Sequence, residues 1–165
     1  MKERTADPRA RLFNEEGSMI PPFVNATWRG CALDRDRFDH TRLPELLFNA
    51  IVRDAGSTEL QIARYSPDSE SCDSLPADWE AFRTYVFTDA NWALEYVLFD
   101  QSKRWAVLAD ADVTVVGAAP ELADLIDQAL AAHGTSLVQL TDTDFPGLDP
   151  AQPPGAAFLL AVSGR

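Results

Sequence analysis

Apolar residues recur with helical spacing in two segments of the chain. From Leu43, apolar side chains follow at i+3, i+4, i+7 and i+8, with Pro44 in the first turn and Gly56 after the last one. Residues 119–132 repeat this pattern, with a proline near the start and Gly134 after the end. Because these spacings place the apolar residues on one face of an α-helix, the sequence predicts two amphipathic helices.

Short apolar runs separated by polar turns predict an antiparallel sheet. Residues 94–99, 104–109 and 113–117 are three such runs, joined by the turns Asp-Gln-Ser-Lys and Asp-Ala-Asp, which is typical of a β-meander. Polar and apolar residues alternate over residues 59–65, and this predicts another strand. Further strands are expected at residues 83–88, 136–140 and 156–162, and polar loops at residues 66–78 and 141–155.

The predicted elements combine into an α+β fold. We expect a mostly antiparallel sheet of about five strands with a central meander, packed by two main helices. A chain of 165 residues is enough for one core, so a single domain is expected over residues 19–165. Residues 1–18 are polar and lack periodicity, which predicts a flexible tail.

Acidic residues dominate the chain beyond its first quarter. Asp and Glu number 26 against 14 Lys and Arg, for a net charge of −12. Residues 1–42 hold 8 basic and 7 acidic groups, whereas residues 43–165 hold 6 and 19, and no Lys or Arg occurs between Trp105 and Gly164. This charge argues against nucleic acid or an anionic membrane as a partner, and it favours a protein with a basic surface.

The cysteines and the first residues bear on the compartment. Cys31 and Cys72 have no Cys-x-x-Cys or Cys/His spacing, so two thiols of a cytoplasmic protein are expected, with a single bridge between them as the alternative. The first nine residues are charged, and no run approaches the roughly 20 apolar residues of a membrane span. We therefore expect a cytoplasmic protein without membrane segments.

Two Asp-x-Asp pairs are the candidates for metal binding. Asp110 and Asp112 follow an apolar strand, an arrangement that in glycosyltransferases holds a divalent ion against a diphosphate. The alternative function is therefore a metal-assisted enzyme that uses these two residues on a phosphorylated or nucleotide-sugar substrate. A hairpin turn explains the pair more simply, because Asp bonds local amides and the next strand begins at once. Asp142 and Asp144 form the second pair and are expected to be solvated.

Known catalytic motifs are missing from the sequence. It has no glycine-rich phosphate loop, no Gly-x-Ser-x-Gly and no His-Glu-x-x-His. We therefore expect no catalytic residue, no bound metal and no cofactor.

One segment resembles a known group of proteins. The run Trp92-Ala-Leu-Glu-Tyr-Val-Leu-Phe-Asp-Gln-Ser-Lys-Arg-Trp-Ala-Val-Leu-Ala-Asp-Ala-Asp-Val-Thr-Val-Val-Gly117 precedes the predicted helix. It resembles small bacterial immunity proteins of polymorphic toxin systems, including SUKH-like members, in which strands joined by an Asp-x-Ser-(Lys/Gly)-Arg-Trp turn precede a helix. The resemblance spans residues 92–132. It implies a non-enzymatic inhibitor that binds and masks a cognate toxin, for example a nuclease with a basic active site.

The residues expected to contact such a partner are acidic, with one aromatic anchor. Carboxylates speed the capture of a basic partner, and an exposed tryptophan can fill a pocket on it. The expected contact residues are Asp68, Glu70, Asp73, Asp78, Trp79, Asp110 and Asp112. A regulatory or assembly subunit that binds another protein of the same cell is the third interpretation.

Overall fold

The computed structural model describes residues 28–35, 43–64, 72–87, 95–109 and 113–147, which contain six strands and four helices. The strands are β1 (Arg29–Asp34), β2 (Glu59–Arg64), β3 (Cys72–Pro76), β4 (Tyr96–Asp100), β5 (Trp105–Ala109) and β6 (Val113–Ala118). The helices are α1 (Leu43–Ala55), α2 (Trp79–Val86), α3 (Pro120–Ala131) and α4 (Leu137–Asp144).

The six strands form one antiparallel sheet in the order β1-β6-β5-β4-β2-β3. The predicted α+β fold is therefore confirmed, with six strands instead of about five. The meander β4–β5–β6 lies at the centre, as predicted. On one side of the meander, β1 pairs with β6. On the other side, the β2–β3 hairpin pairs with β4 through β2.

The two predicted amphipathic helices are α1 and α3. Each has an acidic residue in its first turn, where the positive end of the helix dipole favours it, and α3 has Pro120 at its first position. Leu122, Ile126 and Leu130 of α3 are buried at helical spacing. The predicted strand at residues 59–65 is β2. These elements form where the local apolar pattern and the tertiary burial agree.

Two segments predicted as strands are helices. Residues 83–86 belong to α2, which the Asp78 side chain caps and which buries Phe82 and Val86 at i and i+4. The stretch 136–140 is likewise the start of α4, capped by Ser136. In both cases a short helix buries one apolar side on the sheet, and this outweighs the β-propensity of residues such as Tyr85 and Val138.

The two predicted loops also contain regular structure. β3 lies within residues 66–78, and it forms because its backbone pairs with β2, although its side chains are largely exposed. The stretch 141–155 begins with the last turn of α4. The predicted strand at residues 156–162 and the predicted tail at residues 1–18 lie outside the described residues.

The chain buries apolar side chains on both faces of the sheet. One face packs against the helices and includes Trp105, Tyr96 and Cys31. We call the opposite face, formed by alternate residues of the same strands, the back face. Its buried residues are Ala32, Ala63, Val97, Phe99, Ala106, Leu108 and Val115.

Cys31 and Cys72 are not joined in a disulfide. Cys31 is fully buried, and this burial raises the pKa of its thiol. Cys72 is half-buried at the rim of the back face. Because the two residues belong to opposite faces, the sheet itself separates them.

Candidate functional site

The pairing of the strands places two acidic connections at the same end of the strands. Arg64, the last residue of β2, pairs with Tyr96, which pairs with Ala109 at the end of β5. The connections 65–71 and 110–112 therefore both start from this end of the strands, which we call the loop edge. Four of the expected contact residues, Asp68, Glu70, Asp110 and Asp112, lie in these connections and outside the described residues.

Asp73 is the described contact residue nearest this edge. It is exposed on β3, opposite Ile62 of β2. Its carboxylate accepts a hydrogen bond from the Tyr85 hydroxyl, which ties the outermost described strand to α2. Asp73 therefore contributes both to the surface charge and to the position of α2.

The last two expected contact residues lie at the opposite end of the strands, where β3 ends and α2 begins. The Asp78 carboxylate accepts from the Ala81 amide at 3.0 Å and caps α2. Trp79 is half-buried, with its ring centroid 5.4 Å from Phe48 and 5.6 Å from Phe82. The expectation of an exposed tryptophan is therefore wrong, because this ring packs on the border of the core. The structure does not bring these two residues together with the loop edge.

A larger acidic surface lies on α3 and α4, which we call the α3–α4 surface. Glu121, Asp124 and Asp142 are exposed there, and Asp127 and Asp144 are half-buried. This follows directly from the absence of Lys and Arg between Trp105 and Gly164. The distribution of charge in the sequence therefore indicated this surface, although the expected contact residues lie elsewhere.

Arg29 of β1 contacts this surface. Its guanidinium forms ion pairs with Asp124 and, at 3.4 Å, with Asp127. Asp127 also accepts from the Leu137 amide at 2.8 Å, at the start of α4. One carboxylate thus fixes the junction of the two helices and also pairs with Arg29 of β1.

The second Asp-x-Asp pair has two different roles. Asp144 accepts a hydrogen bond from the Asp34 amide at 2.9 Å, at the outer edge of the sheet. Asp142 is exposed on the other side of α4. Among the described residues, no group of three or more His, Cys, Asp or Glu side chains is arranged to hold a metal ion. The pair therefore contributes to folding through one member and to the acidic surface through the other.

Two apolar side chains interrupt the α3–α4 surface. Leu125 of α3 is 43% exposed, and Val138 of α4 is 39% exposed. Protein interfaces combine such apolar contacts with a charged rim, because the apolar area supplies affinity and the charges supply orientation. The arrangement is chemically suited to bind a basic protein surface.

The Asp-x-Ser-Lys-Arg-Trp segment forms the turn between β4 and β5. The Asp100 carboxylate accepts hydrogen bonds from the hydroxyls of Ser57 (2.6 Å) and Ser102 (2.5 Å) and from the Lys103 amide (3.1 Å). Burial by itself raises the pKa of Asp100, but the hydrogen bonds from Ser102, Ser57 and Lys103 together outweigh it and lower the pKa. The carboxylate is therefore held in its charged form.

The rest of this motif fastens the turn to α1. Lys103 adopts a positive φ of 52°, a conformation that glycine enters more readily than any other residue. Arg104 donates to the Ala55 carbonyl at 3.0 Å, at the end of α1. The side chains of Asp100, Ser102 and Arg104 hold the hairpin and its contact with α1, so the motif indicates a local structure and is neutral about function.

A groove with a volume of about 250 Å³ lies between α1 and α3. Its polar lining includes Asn49, Arg53 and His133, and Arg53 pairs with the adjacent Asp54 at 2.7 Å. The described side chains that line it include neither a carboxylate nor a thiol, so they supply no acid–base or nucleophile pair. This groove therefore gives no support to an enzymatic function.

Comparisons with known proteins add no assignment. No family model matches the chain, and neither a curated protein nor a solved structure matches it. None of the described helices is long and apolar enough to cross a membrane.

Proposed function

We propose that this chain is a non-enzymatic cytoplasmic protein-binding module, an acidic immunity-type inhibitor that masks a toxin with a basic surface. A nuclease is the favoured kind of toxin, because its active site must attract a polyanion and is itself basic. The resemblance of residues 92–132 to immunity proteins first suggested this role. The carboxylates and the exposed apolar side chains of the α3–α4 surface support it.

The α3–α4 surface is the observation that carries the proposal. Five carboxylates lie on these two helices, and Arg29 pairs with two of them, Asp124 and Asp127. An uneven charge of this kind steers a basic partner to one side of the molecule and accelerates its capture. The exposed Leu125 and Val138 lie on the same helices and supply apolar contact area once the partner has docked.

The loop edge adjoins this surface. Asp144 at the end of α4 contacts the Asp34 amide, and Asp34 pairs with Val113 in the sheet. Val113 directly follows the connection that carries Asp110 and Asp112. The expected contact residues of this connection therefore belong to a stretch of chain that begins beside the end of α4. We propose that the α3–α4 surface and this connection bind the partner together.

The direct test pairs this chain with the product of a secreted, toxin-like gene immediately upstream of its own gene. Co-expression is expected to restore growth to cells that the toxin arrests, and the two purified proteins are expected to form a complex. A neighbourhood that encodes no such protein, or a product that is neither neutralised nor bound, would contradict the proposal.

Charge reversal distinguishes the two acidic surfaces. Glu121→Lys with Asp142→Lys is expected to slow association with that partner about tenfold or more at low salt, because electrostatic steering raises on-rates by 10 to 1,000-fold. The second acidic surface is the connection 65–71 with the adjoining start of β3. The combined substitutions Asp68→Lys, Glu70→Lys and Asp73→Lys test it in the same way. Glu59→Lys with Glu80→Lys is the matched control for the Glu121, Asp142 pair, since it reverses two carboxylates elsewhere. On-rates that fall equally in the control would show a general charge effect and no specific surface.

A further inference from the structure

A polar notch lies where α4 meets the turn that follows α3, and we call it the α4 notch. Its volume is about 370 Å³, and its described lining residues are Gly134, Thr135, Gln139, Asp142 and Thr143. This volume falls within the range of roughly 300 to 1,000 Å³ that small-ligand sites occupy. Four of these residues are exposed and Thr135 is half-buried, so the notch opens to solvent on the α3–α4 surface.

The described side chains of the α4 notch offer oxygen acceptors. Asp142 supplies the one charged group among them, and Gln139 adds an amide oxygen. The Thr143 hydroxyl donates to the Gln139 carbonyl at 2.7 Å, which leaves the hydroxyl oxygen able to accept. Gly134 has a φ of +73°, and no atom lies within 4 Å of the place that a Cβ would take there. A single carboxylate with neutral acceptors around it suits a group that carries one positive charge and several donors.

The helix ends beside the notch also favour a cation over an anion. The notch follows the C-terminal end of α3, where the backbone carbonyls are the negative end of the helix dipole, and α3 has no basic residue in its last turn. Amides at the start of α4 could otherwise bind an anion, but Leu137 donates to Asp127 at 2.8 Å and Gln139 donates to the Ser136 hydroxyl at 3.2 Å.

The sequence around the notch supplies no cation of its own. No Lys or Arg occurs between Trp105 and Gly164, a stretch that includes both helices of the α3–α4 surface. A positively charged group from a basic partner therefore meets no competing cation from the sequence neighbours of Asp142.

We propose that the α4 notch binds a guanidinium group, which in the complex is an arginine side chain of the basic partner. A guanidinium carries one positive charge and five N–H donors in a planar fork, so it can bond a carboxylate and neighbouring neutral acceptors together. An ammonium group is more compact and more strongly hydrated, and it makes less use of such a set. The partner in this inference rests on the proposed function, whereas the binding of a free guanidinium ion does not.

Titration of the full-length chain with methylguanidinium tests the site directly. Amide NMR spectra are recorded at concentrations at which the chain stays folded, with tetramethylammonium as the control ion, because it has the same charge and no N–H donor. Methylguanidinium is expected to shift the amide signals of Thr135, Gln139 and Thr143 in a saturable way. Asp142→Asn is expected to raise the Kd about fivefold or more, since it removes the charge from the hydrogen bond. Glu121→Gln is the matched control on the same surface and should leave the Kd unchanged.

Four outcomes would overturn the proposal. The shifts could fail to saturate, tetramethylammonium could produce the same shifts, or Glu121→Gln could weaken binding as much as Asp142→Asn, which would show a diffuse acidic surface. Butylammonium that binds as tightly as methylguanidinium would show that the notch selects charge alone. The probe is a small ion, so these results do not depend on whether the upstream product is a toxin. A failure here is therefore distinct from a failure of the proposed function.

Discussion

The Thr141 hydroxyl of α4 accepts a hydrogen bond from the Ala32 amide of β1 at 3.0 Å. One turn further along the helix, Asp144 accepts from the Asp34 amide in the same way. Side-chain oxygens of a helix thus occupy the positions that a neighbouring strand would take at the outer edge of β1. Exposed edges of this kind invite pairing with another chain, so α4 both completes the sheet and protects it.

Replacement of the buried hydroxyl should be costly. Thr141→Val keeps the shape of the side chain but leaves the Ala32 amide without its acceptor, and the expected loss in free energy of unfolding is about 1–3 kcal/mol. Urea denaturation measures this loss. Thr143→Val on the same helix is the matched control, because Thr143 is exposed and bonds only within α4; its expected effect is below about 0.5 kcal/mol. Equal losses in the two variants would show that the contact to β1 is unimportant.

The β4–β5 turn offers a stabilising substitution. Lys103 holds a positive φ of 52°, which costs a residue with a Cβ about 1 kcal/mol or more relative to glycine. Lys103→Gly is therefore expected to raise the free energy of unfolding by up to about 1 kcal/mol. Lys103→Ala removes the same side chain but keeps the Cβ, so it should bring no such gain. A glycine variant that is no more stable than the alanine variant would refute the argument.

Asp100 should contribute to the loss of stability in acid. Its pKa is lowered in the folded protein, so the carboxylate stabilises the fold above its unfolded pKa of about 3.9, and this contribution is lost as the pH falls through the folded value. Asp100→Asn is expected to reduce stability at pH 7 by about 1.5–3 kcal/mol and to flatten the decline below about pH 4. Unfolding curves between pH 3 and pH 7 provide the measurement. Glu121→Gln, which changes an exposed carboxylate, is the control, and an equal flattening there would contradict the assignment.

A metal titration distinguishes the two interpretations of Asp110 and Asp112, a hairpin turn and a metal site. We expect titration of the chain with Mg²⁺ or Mn²⁺ to release no heat of binding, since the connection they occupy joins adjacent strands of a meander and Asp is favoured in such turns. Calorimetry of the full chain and of an Asp110→Ala, Asp112→Ala variant measures this. Binding heat in the unaltered chain that disappears in the variant would establish a metal site at this pair, which the enzymatic alternative requires.

The periodic parts of the sequence determined much of the fold. The helices at residues 43–55 and 120–131 and the central meander follow from local spacing, because the apolar residues of each helix recur on one face and the strands are short apolar runs separated by polar turns. The α2 and α4 helices also had local signals, namely a capping Asp78 or Ser136 ahead of apolar residues at i+3 or i+4 spacing. The β-propensity of the surrounding residues masked these signals and led to the prediction of strands.

The tertiary structure alone decided the places where distant residues meet. β3 is polar and exists because its backbone pairs with β2, and Gly30 of β1 is needed because a Cβ there would overlap the Val116 carbonyl of β6. Hydrogen bonds between separate elements likewise assign Asp127 and Asp144 to the junctions of α3 with α4 and of α4 with β1. The sequence therefore determined that the protein is acidic after its first quarter, and the fold decided which carboxylates remain on the surface and which ones hold the fold together. The physical reason is that charge adds up along a chain, whereas the partners of each carboxylate depend on contacts that no local pattern records.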